Sequence, residues 1–232
     1  MKLNILALDS SDAVLSVALS TKTGVFYLEI EAGQSHSELL LECADQLCKT
    51  AGLSPADLNM VSCMKGPGTF TGLRISFSAA KGIALALDIP LVSIPTLDCL
   101  AYPFSMWPGI VLPAIDAKKG CFFTAFYRHG KRLTEYSSLS PETLAENALK
   151  VIDSSNEPIL LTGGGAELLR SRFVSCLSSG IRVDPVFRRG YAKELLEIAK
   201  NDKLKGVNDI KEGPVYLRKS DAELNFKADG LL

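Results

Sequence analysis

The sequence predicts an α/β fold of two similar lobes, each a mixed sheet flanked by helices. Three observations carry this reading. Residues 3–8, 14–20 and 25–31 are apolar or alternating runs of strand length joined by polar turns, and a helix, a strand, a glycine turn and a second helix follow them. The same order begins again at Ile110 and runs to Cys176, which marks an internal duplication. The third observation is Lys65-Gly66-Pro67-Gly68-Thr69-Phe70-Thr71-Gly72-Leu73-Arg74, which joins the strand at 59–64 to a helix ending near Leu87. That helix is apolar or small almost all round, so it is buried on more than one side, against its own sheet and against something else.

In the first half, the strand over 3–8 ends at the polar turn Asp9-Ser10-Ser11-Asp12, and Thr21-Lys22-Thr23-Gly24 joins the second strand to the third. Ser35, with Glu38 three residues on, has the spacing of a capping box and opens a helix to about Thr50. Leu40, Ala44, Leu47 and Ala51 form its apolar stripe, while Leu39 and Cys43 begin a second one. Ser54-Pro55-Ala56-Asp57 puts proline at the first position of a one-turn helix. In the glycine turn, glycine tolerates positive φ and close approach, Pro67 fixes its own φ, and Thr69 or Thr71 can cap the first helical amides. Those amides could also hold an anion, but no Gly-Lys-Ser/Thr follows at P-loop spacing. A tight packing turn is the first reading and a phosphate cradle the second. Residues 91–94 make the next strand, and Thr96 opens a short helix.

Pro103 to Gly109 breaks the pattern, which divides the chain into lobes of residues 1–103 and 104–232. The second lobe repeats the order: strands over 110–115, 121–127 and 132–136, a helix from Ser140 through Ile152, a strand over 159–161, then Thr162-Gly163-Gly164-Gly165 and a helix. Asp116 aligns with Asp9, and Gly163-Gly164-Gly165 with Gly66-Pro67-Gly68. A last helix runs to Ala199. A Lys-rich loop, the compact Pro214-Val215-Tyr216-Leu217-Arg218 and a loose tail from Asp221 close the chain.

The 232 residues carry a net charge of −1, so no global field draws the chain to nucleic acid. Six cysteines show no Cys-x-x-Cys pair and fall mostly in apolar runs, which suggests buried, reduced thiols. No signal peptide is visible and no apolar run reaches membrane-spanning length, so a cytoplasmic location without membrane attachment is expected.

The duplicated order resembles the actin-like ATPase superfamily (ASKHA), two ribonuclease-H-like lobes around a cleft. Several strings are more specific. Leu6-Ala7-Leu8-Asp9-Ser10-Ser11, His36-Ser37-Glu38, Gly66 through Arg74, Ala80-Lys81-Gly82-Ile83-Ala84, Ala114-Ile115-Asp116-Ala117 and Pro214 through Arg218 resemble the TsaB (YeaZ) family over essentially the whole chain. The resemblance implies a subunit of the bacterial machinery that forms threonylcarbamoyladenosine next to the anticodon of tRNAs reading ANN codons. It implies TsaD as catalytic partner in a heterodimer, TsaE recruited through the complex, a homodimer when alone, and tRNA met through the complex. TsaD carries two metal-binding histidines where this chain has Thr96 and Leu100. Neither these nor the lone Asp98 make a credible metal site, so the resemblance implies a non-catalytic scaffold with no catalytic residue, metal or intrinsic cofactor. ATP or ADP then enters only at the level of the complex.

Asp9 and Ser10, with Gly163 and Gly164, are the candidates for a weak nucleotide site, because actin-like ATPases often keep an acid near metal-bound phosphate at the place of Asp9. A turn-capping Asp9 and a packing turn at the glycines are the plainer readings. His36, Leu39, Cys43, Arg74, Ser76, Ala79 and Ile83 are the candidate partner surface, since the two helices that carry them keep apolar or small residues after their sheet stripes are filled. Arg188, Arg189, Lys203, Lys205, Lys211, Arg218 and Lys219 form a late basic cluster, read first as a solvated face and second as a tRNA or partner contact. A free-standing ATP-dependent kinase of the same fold is the first rival. A peptidase is the second, and it lacks both a His-Glu-x-x-His helix and a Gly-x-Ser-x-Gly elbow.

Overall fold

The computed structural model describes residues 3–152, 157–173, 180–186, 189–200 and 209–217. Strands β1 (Ile5–Asp9), β2 (Val14–Ser20) and β3 (Val25–Glu31) form an antiparallel meander. Helix α1 (His36–Thr50) leads to β4 (Met60–Gly66), and α2 (Phe70–Leu87) leads to β5 (Leu91–Pro95), both strands running parallel to β1. The sheet order is β3-β2-β1-β4-β5. Strands β1 and β2 are buried throughout, as expected where both faces are covered. On β1, Leu6 and Leu8 point toward α1 and α2, where Leu40, Ala44, Leu47, Phe77, Ala80 and Ala84 meet them. Ile5 and Ala7 point the other way.

Short helix α3 (Thr96–Ala101) follows β5. Then β6 (Ile110–Asp116), β7 (Phe122–Thr124), the small hairpin β8 (Tyr127–Arg128) and β9 (Lys131–Arg132), and β10 (Ser137–Leu139) lead to α4 (Pro141–Val151). Strand β11 (Ile159–Thr162), α5 (Ala166–Phe173), β12 (Ile181–Val183) and α6 (Ala192–Ala199) complete the described elements. The second sheet reads β10-β7-β6-β11-β12, with β8 paired to β6 and β9. Each of its five path strands therefore matches one in the first sheet, and Asp9 and Asp116 end equivalent strands. Both are ribonuclease-H-like mixed sheets with helices on their faces.

Several expectations need correction. The strand expected at 121–127 breaks at Ala125, and the third strand of the repeat is β10 rather than 132–136. Ser35 makes no side-chain cap at α1, whereas Ser54 and Asp57 form a reciprocal capping box at the one-turn helix. Helix α2, at 18 residues, does meet the length and composition of a membrane-crossing helix, but Leu73, Phe77, Ala80 and Ala84 are buried in the fold.

Packing crosses the division at residue 103. Helix α6 belongs to the second half by sequence, yet Leu195, Leu196 and Ala199 pack on the first sheet with Ile5, Ala7 and Ala18. The reason lies in the first sheet itself, whose second face is apolar and needs a cover. Helix α3 sits between the sheets, with Cys99 and Leu100 in the first sheet's cluster and Leu97 and Ala101 in the second's. The closing segment also returns to the first sheet: the Asp209 amide donates to Leu91 O at 2.7 Å and Val215 to Lys65 O at 2.7 Å.

Candidate functional site

The turn after β1 is held from three sides. Asp9 is 2% exposed, and its Oδ1 accepts from the Ser11 amide at 3.0 Å and the Ser11 hydroxyl at 2.7 Å. Its Oδ2 accepts from the Tyr191 amide at 2.9 Å and the Ser16 hydroxyl at 3.4 Å. Ser16 Oγ in turn accepts from the Ala192 amide at 3.0 Å. The buried carboxylate thus staples the start of α6 to β1 and β2, satisfying amides the helix leaves free. Burial pushes Asp9 above the ordinary carboxylate range, and Asp12 adds to that, outweighing the opposing hydrogen bonds from Ser11 and Tyr191.

Ser10 donates to Gly72 O at 2.7 Å, and the Thr69 amide donates to Ser11 O at 2.8 Å. A Cβ at Gly72 would stand 1.8 Å from Ser10 O, and one at Gly68 2.7 Å from Ser11 O. The glycines of the central turn therefore let α2 start directly against the chain's own Ser10-Ser11 backbone. On the other side, Cβ positions at Gly163 and Gly164 would fall 2.1 Å from Leu100 Cδ2 and 2.4 Å from Asp12 Oδ2, so these glycines admit neighbouring side chains. Asp116 accepts from the Lys118 amide at 2.8 Å and from its Nζ at 3.0 Å in its own hairpin, and its backbone packs against Gly165.

A cavity of about 360 Å³ opens beside this turn, lined by Asp12, Ala13, Val14, Glu31, Gly33, Gly164 and Arg189. Asp9 spends both oxygens on the fold, and the charged side chains that line the cavity are of both signs, Asp12 and Glu31 against Arg189. The structure brings Asp9, Ser10 and Gly164 together, but as a packing joint.

The candidate partner residues separate into two groups. His36 is buried, with Nε2 3.0 Å from Asp12 O, so it supports the turn. Cys43 and Ser76 are buried as well, Cys43 because positions 40, 43, 44, 47 and 48 all face the sheet and Ser76 with its hydroxyl 3.4 Å from Gly72 O. These three are not available surface. Leu39, Ala79 and Ile83 are half-buried against the first core cluster.

What α1 and α2 do expose is different. Leu41 is 53% and Leu85 69% exposed, and Ser78, Gly82 and Ala86 form an open row of small residues at four-residue spacing. At the start of α2, the exposed Arg74 guanidinium stacks 3.8 Å from the Phe70 ring centroid and donates from Nε to the Tyr216 hydroxyl at 3.2 Å. Phe70 and Tyr216 rings lie 5.1 Å apart, so the closing segment extends this face. Sequence reasoning missed Leu41, which flanks the buried stripe of α1, and Leu85, which stands well away from the buried stripe of α2 on a helical wheel.

Of the late basic cluster, Arg189 packs inward, 3.8 Å from Asp184 and 5.1 Å from the Tyr191 ring, and Lys211 is exposed. Arg188, Lys203, Lys205, Arg218, Lys219 and the tail from Asp221 lie outside the described residues. Cys43, Cys48, Cys63 and Cys99 are free and buried, and Cys121 is free and half-buried.

Two mixed sheets, of five and seven strands, whose five path strands share one order, with helices on their faces, define an actin-like ATPase fold. A family model described as TsaD, tRNA N6-adenosine threonylcarbamoyltransferase, matches residues 27–168. The tRNA threonylcarbamoyladenosine biosynthesis protein TsaB of Bacillus subtilis (strain 168) is 27% identical over 97% of this chain and 98% of its own length. The TsaB of Escherichia coli (strain K12) is 33% identical over 62% of this chain and 65% of its own. A tRNA N6-adenosine threonylcarbamoyltransferase of Nitratidesulfovibrio vulgaris (strain DP4) is 32% identical over 42% of this chain and 27% of its own. Among solved structures, a Pseudomonas aeruginosa protein described as uncharacterized with similarity to peptidase YEAZ superposes with a TM-score of 0.78 at 25% identity, over 93% of this chain and all of that one. The chain belongs to the family that model describes, and within it to the TsaB (YeaZ) line.

Proposed function

We propose that this chain is a non-catalytic subunit of the machinery that makes threonylcarbamoyladenosine in tRNA. In this reading it binds and supports a TsaD-type catalytic partner, and TsaE and the tRNAs reading ANN codons meet it only through that complex. ATP or ADP belongs to the assembled complex, the isolated chain pairs with a second copy, and the work is done in the cytoplasm. The observation that carries the reading is the apolar and small surface that α1 and α2 leave exposed among the described residues. Leu41 of α1 and Leu85 of α2 are exposed, and the row Ser78, Gly82 and Ala86 lets a second helix approach closely. A partner with the same lobe would present a like pair of helices, and two such pairs meet as a four-helix bundle. The occupied carboxylate of Asp9 supports the absence of phosphate chemistry in the cleft.

The test is capture of the parent cell's TsaD by this chain, with titration calorimetry on the purified pair. Binding is expected for the native chain and strong loss for Leu85→Glu. ATP turnover by the isolated chain that Asp9→Ala abolishes would favour the kinase reading instead.

A further inference from the structure

On the side of the first sheet opposite α1 and α2, a second cavity of about 310 Å³ opens where α3 and the turn after it meet the β8–β9 hairpin and α6. Asp98, Tyr102, Ser105, Tyr127, Gly130 and Arg132 are in its wall. Thr96, Leu97, Cys99 and Leu100 are all buried, so Asp98 marks the open side of α3, and the exposed Tyr102 follows at the start of the next turn. Asp98 Oδ1 accepts from the Tyr127 hydroxyl at 2.5 Å and from the Tyr136 hydroxyl at 2.9 Å, and Oδ2 is also 2.9 Å from Tyr136. Among the described residues no lysine, arginine or histidine is ion-paired with it. Burial, and then the charge of Asp98, push both phenols above their ordinary pKa, so they stay neutral donors. Each has one proton, already given to Asp98, so the oxygen of Tyr127, the phenol that lines the cavity, offers it only lone pairs.

The other charge in the wall is positive. His129 at φ 49° and Gly130 at φ 71° make a two-residue hairpin turn that sets Tyr127 opposite Arg132, and cross-strand partners share a face. The Arg132 guanidinium stacks 4.0 Å from the Tyr136 ring, and its ion pair with Glu135 is long, 3.8 Å to a side chain 91% exposed. Stacking uses the face of a guanidinium and leaves its edge donors free. No described acceptor takes a hydrogen bond from it.

We propose that this cavity binds a small zwitterion, with a primary ammonium at Asp98 and the Tyr127 oxygen and a carboxylate at Arg132, the chemistry of free amino acids. A simple cation would face Arg132 unpaired, and a simple anion would face Asp98 and lone pairs; only a dipolar ligand satisfies both ends. The volume is at the small end of ligand sites.

Calorimetry and amide chemical shifts on the full chain test this with glycine, β-alanine and γ-aminobutyrate, against methylammonium and acetate as half-ligands. At least one amino acid is expected to saturate at millimolar concentration, roughly tenfold tighter than either half-ligand. Asp98→Asn and Arg132→Gln should each weaken it by roughly the same factor. Asp98 also ties α3 to β8, so Arg132→Gln, on the exposed strand β9 and outside the core, is the variant that keeps the fold; thermal unfolding verifies it. Absence of saturable binding by all three, equal binding of a half-ligand, or unchanged affinity in a folded Arg132→Gln would overturn the proposal.

Discussion

At the scale of single residues, Asp9 decides between a catalytic and a structural cleft. Its two oxygens take hydrogen bonds from Ser11, Ser16 and Tyr191, so an amide in its place would set an N–H against at least one donor. Asp9→Asn should cost about 1–3 kcal/mol of stability, read from denaturant unfolding. Burial holds the folded pKa above the ordinary 3.8. Between 3.8 and that raised value the folded chain keeps a proton the unfolded chain has released. The stability advantage of native over Asp9→Ala therefore shrinks as pH rises through this window. An advantage that grows with pH would mean the folded carboxyl is instead held below 3.8. The turn-capping role was legible from the sequence, because Asp before Ser-Ser is a turn signal. The bond to Tyr191 was not, since nothing local marks a partner 182 residues away.

At the scale of elements, α2 was the most readable part of the chain and its outer face the least. Its buried residues Leu73, Phe77, Ala80 and Ala84 recur at helical spacing, which any amphipathic reading finds. A helix rich in small residues gives a weak pattern around the rest of its circumference, so Ser76 and Ala79 could not be ranked against Leu85 by spacing alone. Packing ranks them: Ser76 is buried, Ala79 is half-buried on the core cluster, and Leu85 stands in solvent. Two charge substitutions should therefore behave differently. Leu85→Glu should leave unfolding within about 0.5 kcal/mol of native while weakening partner binding by about 2 kcal/mol or more. Ala79→Glu should lower stability itself, because a carboxylate enters the edge of the core. Equal melting temperatures for the two would mean that Ala79 is as open as Leu85. Gly72→Ala tests the other end of α2. Its Cβ would overlap Ser10 O at 1.8 Å, so a loss of about 4 kcal/mol or failure to fold is expected.

At the scale of the whole molecule, duplication was readable because strand and helix order repeats, whereas the way the halves share one core was not. Local pattern assigns α6 to the half that precedes it. Its Leu195, Leu196 and Ala199 instead cover Ile5, Ala7, Ala18, Val92 and Ile94 of the first sheet, with Cys99 and Leu100 of α3 beside them. The closing segment adds Ser93 to Asp209 Oδ2 at 2.7 Å from the amide and 2.6 Å from the hydroxyl. A fragment of residues 1–103 would keep α1 and α2 on one face but open the other, leaving buried strand residues in water. Apolar burial supplies about 25 cal/mol per Å² of the folding free energy, and a small domain has little to spare. The fragment should therefore be aggregated or molten, without dispersed amide NMR signals, and residues 104–232 alone should fare no better with α6 uncovered. The full chain should unfold in one transition, with far-UV circular dichroism and Trp107 fluorescence coinciding. A soluble fragment 1–103 with native-like dispersion would show that the first sheet does not depend on α6, and that the two halves are separate folding units.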